Sequence, residues 1–355
     1  MKLLFTSFLL LLVLPPVSVI ADTSGAPRWF KGNTHTHTLN SDGDSPVGTV
    51  AHWYRDHDYD FLVISDHRYL TVPTELQREF DRAVGRQQKP SFLLLPGEEV
   101  DGDIFSSGGR RIKTVHYTSI GPNSAVGQQA GTSVPELSQT IIDAIRSVGG
   151  RPIINHPNFY WSVTAEDILA LRGVRHFELF NGHPAIHNLG GGGRPGTEGI
   201  WDEVLSKGRI LYGVAADDAH HWLEWSRLKS NPGRGWVMVR ATGLSAGLII
   251  DAFDRGDFYS TTGVELLDVS GKDGTLRLSI KQLSTAPDPQ LTTNMFGYTT
   301  TFIGRDGRVL KVDGSMEPAY TLQPGDLYVR ARVVSSGGEM AWTQPLFAAG
   351  QGRLE

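Results

Sequence analysis

Seven short apolar runs, spaced by amphipathic stretches, set the limits on what this chain can fold into. They are Trp29–Asn33, Phe61–Ser65, Phe92–Leu95, Thr114–Ser119, Pro152–Asn155, His176–Phe180 and Ile210–Ala215. Each has the length of a strand and a strand-like texture. Between them lie segments with helical spacing: one opening at Ser45-Pro46, then Leu76–Val84, Leu137–Val148, Ala165–Leu171 and Thr197–Ser206. Strands that alternate with helices predict βα units and a mainly parallel sheet. Seven of them fit a closed or nearly closed α/β barrel, and an open doubly wound sheet would give the same string. A further helix is expected over Ser245–Arg255. Beyond Gly263 the texture changes to strand-like runs broken by Lys272-Asp273-Gly274, Arg305-Asp306-Gly307 and Gln323-Pro324-Gly325, with no helical period. These are turn signals. The expected division is an α/β body over 22–263 and a small antiparallel β subdomain over 264–355.

Met1 to Ala21 stands apart. Lys2 precedes the apolar run Leu3–Leu14, and Val19-Ile20-Ala21 offers small residues for cleavage. This predicts a signal peptide over 1–21, because the run is too short to span a membrane. The chain has no cysteine, so neither a disulfide framework nor a cysteine-linked lipid is available. A periplasmic or secreted bacterial protein, with no membrane span after processing, is the expectation. The net charge of −5 gives no footprint for a nucleic-acid partner.

Parallel βα architectures gather chemistry at the C-terminal ends of their strands. Those ends are rich in metal-binding groups. His35 and His37 follow the first strand at alternate positions, which share one face of extended backbone. Asp42 comes soon after, in a glycine-containing turn. The second strand ends in Ser65-Asp66-His67 and the third in Pro96-Gly97-Glu98-Glu99. The fourth carries His116, the fifth ends in Asn155-His156-Pro157, and the seventh in Asp217-Asp218-Ala219-His220. Half of the chain's 12 histidines therefore fall in these segments. With Asp42, a glutamate of the third strand and Asp218 they make nine candidate ligands. One metal takes about four protein ligands, so nine imply two or three divalent ions and a bridging carboxylate.

The motifs His35-Thr-His37, Ser41-Asp42-Gly43, Phe61-Leu-Val-Ile-Ser-Asp-His67, Leu95-Pro-Gly-Glu-Glu99, Asn155-His156-Pro157 and Asp218-Ala-His220 resemble, in order, those of the PHP (polymerase and histidinol phosphatase) superfamily. Phe177-Glu-Leu-Phe-Asn-Gly-His183, Ile200-Trp-Asp202, Asp217-Asp-Ala-His-His221 and Ala341-Trp-Thr-Gln-Pro-Leu-Phe347 are similar, more narrowly, to the secreted CehA/McbA metallohydrolases. The resemblance implies a distorted seven-stranded β/α barrel and a trinuclear site holding Mn, Zn or Fe. It implies one metal on His35, His37, Glu99 and Asp218. Glu99 would bridge to a second, shared with His116 and His156. Asp42, His67 and His220 would hold a third, with Asp42 standing where many relatives have histidine. It favours Glu99 over Glu98, and Asp218 over Asp217.

A hydroxide bridging two such ions attacks esters at neutral pH without a protein nucleophile. The expected activity is hydrolysis of a small-molecule phosphate ester, monoester or diester. The alternatives are a carbamate or amide hydrolase with the same metal chemistry, and a non-catalytic binding protein. Arg234, Arg194 and Arg68 are candidates for holding a phosphate through their planar forks. His183 is a candidate for substrate contact, and Asp217 and His221 for supporting the ligands.

Overall fold

The computed structural model describes residues 25–87, 91–283 and 297–354. The leader predicted at 1–21 lies outside them. The order is β1 (Arg28–Asn33), α1 (Val47–Asp56), β2 (Phe61–Ile64), α2 (Thr74–Gln87), β3 (Leu93–Phe105), β4 (Arg111–Ile120), β5 (Gln129–Ala130), α3 (Val134–Ser147), β6 (Arg151–Ile154), α4 (Ala165–Ala170), β7 (His176–Asn181), α5 (Thr197–Ser206) and β8 (Tyr212–Ala216). Then come β9 (Trp236–Ala241), α6 (Ala246–Asp254) and β10 (Phe258–Thr261). The remainder is β11 (Leu266–Lys272), β12 (Thr275–Ile280), β13 (Tyr298–Ile303), β14 (Val309–Asp313), β15 (Ala319–Thr321), β16 (Tyr328–Ser335) and β17 (Met340–Thr343), with a short strand after it.

The fold is mixed α/β. One large mixed sheet runs β14-β13-β16-β17-β10-β9-β1-β2-β3-β4-β6-β7-β8, and a separate antiparallel sheet holds β11, β12 and β15. Strands β1, β2 and β3 are parallel neighbours, as are β6, β7 and β8. β4 is antiparallel to both β3 and β6, so the site-ward part of β4 is the stretch that ends at His116, before Tyr117 pairs with Ile154. The two ends of the β1-to-β8 run meet just past the named strands. Thr36 bridges Ala219 in parallel, His37 N–H donates to the Ala219 carbonyl at 2.9 Å, and Asp218 N–H donates to that of His35 at 3.0 Å. That junction is where the candidate ligands sit.

Local chemistry explains most elements. β2 reads Phe-Leu-Val-Ile and every residue is buried, because both faces of a parallel strand are covered. α3 starts at Ser133, whose side chain accepts from Glu136 N–H, and α4 carries a reciprocal Thr164–Asp167 capping box. α3 buries Leu137, Ile141, Ile142 and Ile145 against β4 and β6. α1 begins after Pro46 rather than at a Ser45 cap. The Ser45 hydroxyl is held by Asp44 instead.

β3 outruns its expected limit at Leu95. It continues through Pro96-Gly97 to Phe105, because β4 pairs with it from Gly97 onward. At Gly97 a Cβ would lie 2.5 Å from a Val63 methyl and 2.7 Å from the Ile64 carbonyl. Only glycine lets β3 stay close to β2 there.

The strands after Gly263 are fastened to the α/β body by charge as well as pairing. β17 pairs with β10. Arg330 of β16 is 1% exposed and grips Asp202 of α5 through two bonds of 2.7 Å. Glu198 also faces Arg330 at 2.9 Å, and the Tyr328 hydroxyl donates to Asp202 at 2.9 Å. Removing one partner of a buried pair strands the other. Asp202→Ala is expected to cost about 3 kcal/mol in urea unfolding, near the low end for a broken buried pair because Glu198 remains. Asp202→Leu with Arg330→Met should recover most of that, since an apolar replacement removes both charges together. An unchanged midpoint for Asp202→Ala would show that the pair does not hold the two parts together.

Candidate metal centre

The strand ends carry the nine candidate donors into one cluster, buried around Glu99 and open to solvent at Asp42. His35 and His37 lie on the extension of β1, fully buried. The Asn33 side chain accepts from His35 N–H at 2.9 Å and donates to the Gly235 carbonyl, which fixes the start of that extension. Asp42 returns to the cluster through the turn at Gly43. A Cβ there would fall 2.7 Å from the His37 backbone carbonyl. His67 follows β2, Glu99 stands within β3, and His116 reaches in from β4. His156 and Asp218 follow β6 and β8 in left-handed backbone, with φ of 22° and 51°. Non-glycine residues are uncommon in that region, and such conformations gather at functional sites.

Glu99 is the centre. Its Oε2 lies 3.3 Å from His35 Nε2, 3.3 Å from His37 Nε2 and 3.1 Å from His67 Nδ1. Its Oε1 lies 3.1 Å from His116 Nδ1 and 3.3 Å from His156 Nε2, and accepts from the Asn155 amide at 2.7 Å. Asp218 Oδ1 is 3.3 Å from both His35 Nε2 and His37 Nε2. Asp42 Oδ1 is 3.3 Å from His37 Nδ1 and 3.4 Å from His220 Nε2, while its Oδ2 is 3.7 Å from His67. His37 stacks on His220 at 4.0 Å. Four overlapping groups can each hold an ion: His37, Asp42, His67 and His220; His35, His37 and Asp218; His35, Glu99 and His156; His67, Glu99 and His116. All nine donors belong to at least one.

The protonation pattern suits cations. His35 Nδ1 lies 2.6 Å from Glu178 Oε1, so that nitrogen carries a hydrogen and Nε2 is the one that faces the cluster. His220 Nδ1 likewise donates to the Asp218 carbonyl at 2.9 Å, leaving Nε2 toward Asp42. His35 Nε2 faces His37 Nε2 at 3.1 Å, together with Glu99 and Asp218. One proton cannot satisfy three such neighbours, whereas a shared cation does. His67 Nδ1 is buried without a hydrogen-bond partner. Buried polar atoms are normally satisfied, so this one fits a metal ligand.

Burial opposes ionisation throughout, and the mutual fields overcome it at every one of these groups except His37. Against burial, His67, His35 and His116 hold Glu99 well below the usual carboxylate range. Against burial, His35 and His37 do the same for Asp218. Burial also opposes charge on His35, but Asp218, Glu99 and Glu178 raise it well above an ordinary histidine. His220, against burial, is raised to about 9 by Asp42 and Asp218. Burial and the neighbouring His220 push His37 down to about 4.

The other candidates are placed differently. Arg68 is held by Asp101 at 2.6 and 2.9 Å, so its charge is compensated. The Arg234 guanidinium donates to the Gly182 and Ser226 carbonyls and braces the loop after β8. Arg194 lies 5.1 Å over the Trp161 ring. His183 stands 5.6 Å from His220 between ring centres, half-buried beside the donors. Asp217 points away from them. It accepts from the backbone N–H groups of Gly233, Arg234 and Gly235 and from the Tyr54 hydroxyl. His221 is bound to Ser230.

Sequence reasoning gave no role to Glu178, Asp66, Asn155 or Asn181. Glu178 fixes His35 and accepts from His156 N–H at 2.7 Å and from Asn181 at 2.8 Å. Asp66 ties the first two loops by accepting from Thr38, Ser41 and Thr71. The signal for Glu178 was a lone carboxylate inside the apolar run Phe177–Phe180, where an unpaired charge is costly.

No protein-family model and no curated protein matches the chain. Among solved structures, it is similar to a two-domain protein containing a predicted PHP-like metal-dependent phosphoesterase from Bacteroides vulgatus. Identity is 16% and the TM-score 0.43, over 88% of this chain and 91% of that one. It is also similar to a lesion-specific endonuclease from Pyrococcus furiosus, at 12% identity and a TM-score of 0.37, over 65% of this chain and 56% of that one.

Glu178→Gln keeps the shape of the side chain while weakening its hold on His35. Metal affinity, read by competition with a chelator, should fall about 10- to 100-fold, the usual cost of losing such a partner. Unchanged affinity would remove Glu178 from the centre.

Proposed function

We propose that this chain is a metal-dependent hydrolase of phosphate esters and a member of the PHP superfamily, in its secreted CehA/McbA-like branch. The observation that carries the reading is the convergence of nine His, Asp and Glu donors on Glu99. In this reading β1, β2, β3, β4, β6, β7 and β8 are the staves of a distorted barrel over 22–263, the β subdomain covers 264–355, and the 1–21 leader directs export to the periplasm or beyond.

Two or three divalent ions are assigned to the donors: His35, His37 and Asp218 on one side, His116 and His156 on another, Asp42, His67 and His220 on the third, with Glu99 shared. When bound, such ions make a water acidic enough to attack at neutral pH and take up charge on the leaving oxygen. The chain's own residues orient and exclude. Glu178 sets the His35 tautomer. Asn181 holds Asp218 Oδ2 at 3.1 Å, and Asn155 holds Glu99. The Asp66 network keeps the loops after β1 and β2 together. Phe159 packs 5.2 Å from the His156 ring and 5.8 Å from that of His116, an apolar wall beside the donors.

A second reading, hydrolysis of a carbamate or amide, is favoured by one observation. Each candidate arginine is engaged by the protein, by Asp101, by backbone carbonyls or by Trp161, so an anionic substrate depends on the metals for its charge partner.

The test sets phosphomonoester, phosphodiester and aryl carbamate reporters side by side with added Mn or Zn. Asp218→Asn should bring turnover to background in a folded protein, because it removes an anionic ligand without changing shape. His52→Ala, whose imidazole instead contacts Arg55 at 2.8 Å, should lose less than about a factor of three. Full activity in folded Asp218→Asn, or turnover that survives a chelator, would overturn the assignment. Turnover of the carbamate alone would select the second reading.

A further inference from the structure

Large apolar side chains are not scattered over this surface. Among the described residues fourteen stand exposed; eight of them lie on the connections that leave the donor end of the sheet, and Phe105 and Ile112 on the strand ends of the β3–β4 tip. The other four, Leu267, Val309, Val312 and Leu354, fall in the C-terminal part. Every one of the six donor-end connections carries or adjoins at least one: Leu39 after β1, Val72 after β2, Phe105 at the β3–β4 tip, Tyr160 after β6, Leu189 after β7 and Leu228 after β8. Leu189 is 91% exposed and leads into the glycines 190–193, Leu228 is 86% exposed, and Leu223 on the same loop is 78% exposed. Single exposed apolar residues are ordinary, but a group of them gathered on the loops of one end of the sheet marks an interaction surface.

Charge narrows the partner. The chain as a whole is acidic, at −5. Yet Arg110 and Arg227 stand exposed on two of these connections, with no carboxylate partner among the described residues, and Arg194 on a third is exposed against the Trp161 ring. Apolar tips flanked by cations fit a layer of acyl chains beneath anionic head groups. The spread over six separate loops suits a soft, deformable surface better than one flat protein face.

We propose that the donor-end loops are a docking rim for anionic phospholipid surfaces, and that the ester brought to the donors belongs to an amphiphile lying in such a surface. The identity of the ester rests on the phosphate-ester reading above; the docking does not. The apolar tips enter the head-group layer, the arginines face lipid phosphates, and the opening to the donors is pressed against the layer. No helix among the described residues is long and apolar enough to cross a membrane.

The experiment is co-sedimentation of the chain with vesicles of phosphatidylcholine alone or mixed with phosphatidylglycerol. All proteins carry the same N-terminus, so the Leu3–Leu14 run contributes equally. Wild type should bind the mixed vesicles, and less well at high salt. The combined Leu189→Ser, Leu223→Ser and Leu228→Ser variant should partition at least about tenfold more weakly, having lost three apolar anchors. Its melting temperature and its turnover of a small soluble reporter should match wild type. Arg110→Gln with Arg227→Gln should weaken binding to the mixed vesicles only. No vesicle binding by wild type, or equal binding by the leucine variant, overturns the proposal. So does self-association of the wild type that the leucine variant abolishes, with no lipid bound. Vesicle binding without turnover of any phosphate ester supports the rim and rejects the phosphate-ester chemistry instead.

Discussion

Glu99 is 1% exposed and stays ionised because five imidazoles surround it. A lone carboxylate at that depth would neutralise by taking a proton. Much of the architecture serves to supply those partners. His35 and His37 need the β1 extension, His67 the end of β2, His116 the antiparallel β4, and His156 the end of β6. Even the junction between the two ends of the strand run, at Thr36 and Ala219, is set between donor residues. Fold and site are therefore one problem. The backbone is led into left-handed conformations at His156 and Asp218 to complete the cluster, and the surrounding sheet holds it there.

Much of this was legible in the sequence because two periods coincide. Strand and helix spacing located the elements, and histidines fell at the ends of the strands. His35, His37, Asp42, His67, Glu99, His116, His156, Asp218 and His220 all meet in space. What stayed hidden depends on long-range pairing. The direction of β4 and the length of β3 are set by each other, and neither shows in a local window. The supporting groups were also silent. Glu178 looks like any strand glutamate until His35, 143 positions away in sequence, is brought to it. The contacts of the candidate arginines were hidden for the same reason. A guanidinium is legible as a phosphate fork, but Asp101, Trp161 and two carbonyls had prior claims that only packing reveals.

After Gly263, β13, β14, β16 and β17 extend the large sheet through β10, while β11, β12 and β15 form their own antiparallel sheet. The buried Arg330–Asp202 pair couples them to α5, the helix that follows the glycine-rich loop. Such pairs specify an arrangement more than they stabilise it. Here the arrangement fixes α5, which packs on β7, the strand that carries Glu178 to His35.

The claim that nine donors form a shared, multi-ion centre is tested most directly by metal content. The chain would be saturated with Mn or Zn, freed of excess by gel filtration, and analysed for metal per chain alongside Glu99→Ala. More than one ion per chain in the wild type, with loss of more than a single ion in Glu99→Ala, is the predicted result, since the shared carboxylate serves several positions. One ion or none in the wild type, or a Glu99→Ala protein that keeps its full complement, would contradict it.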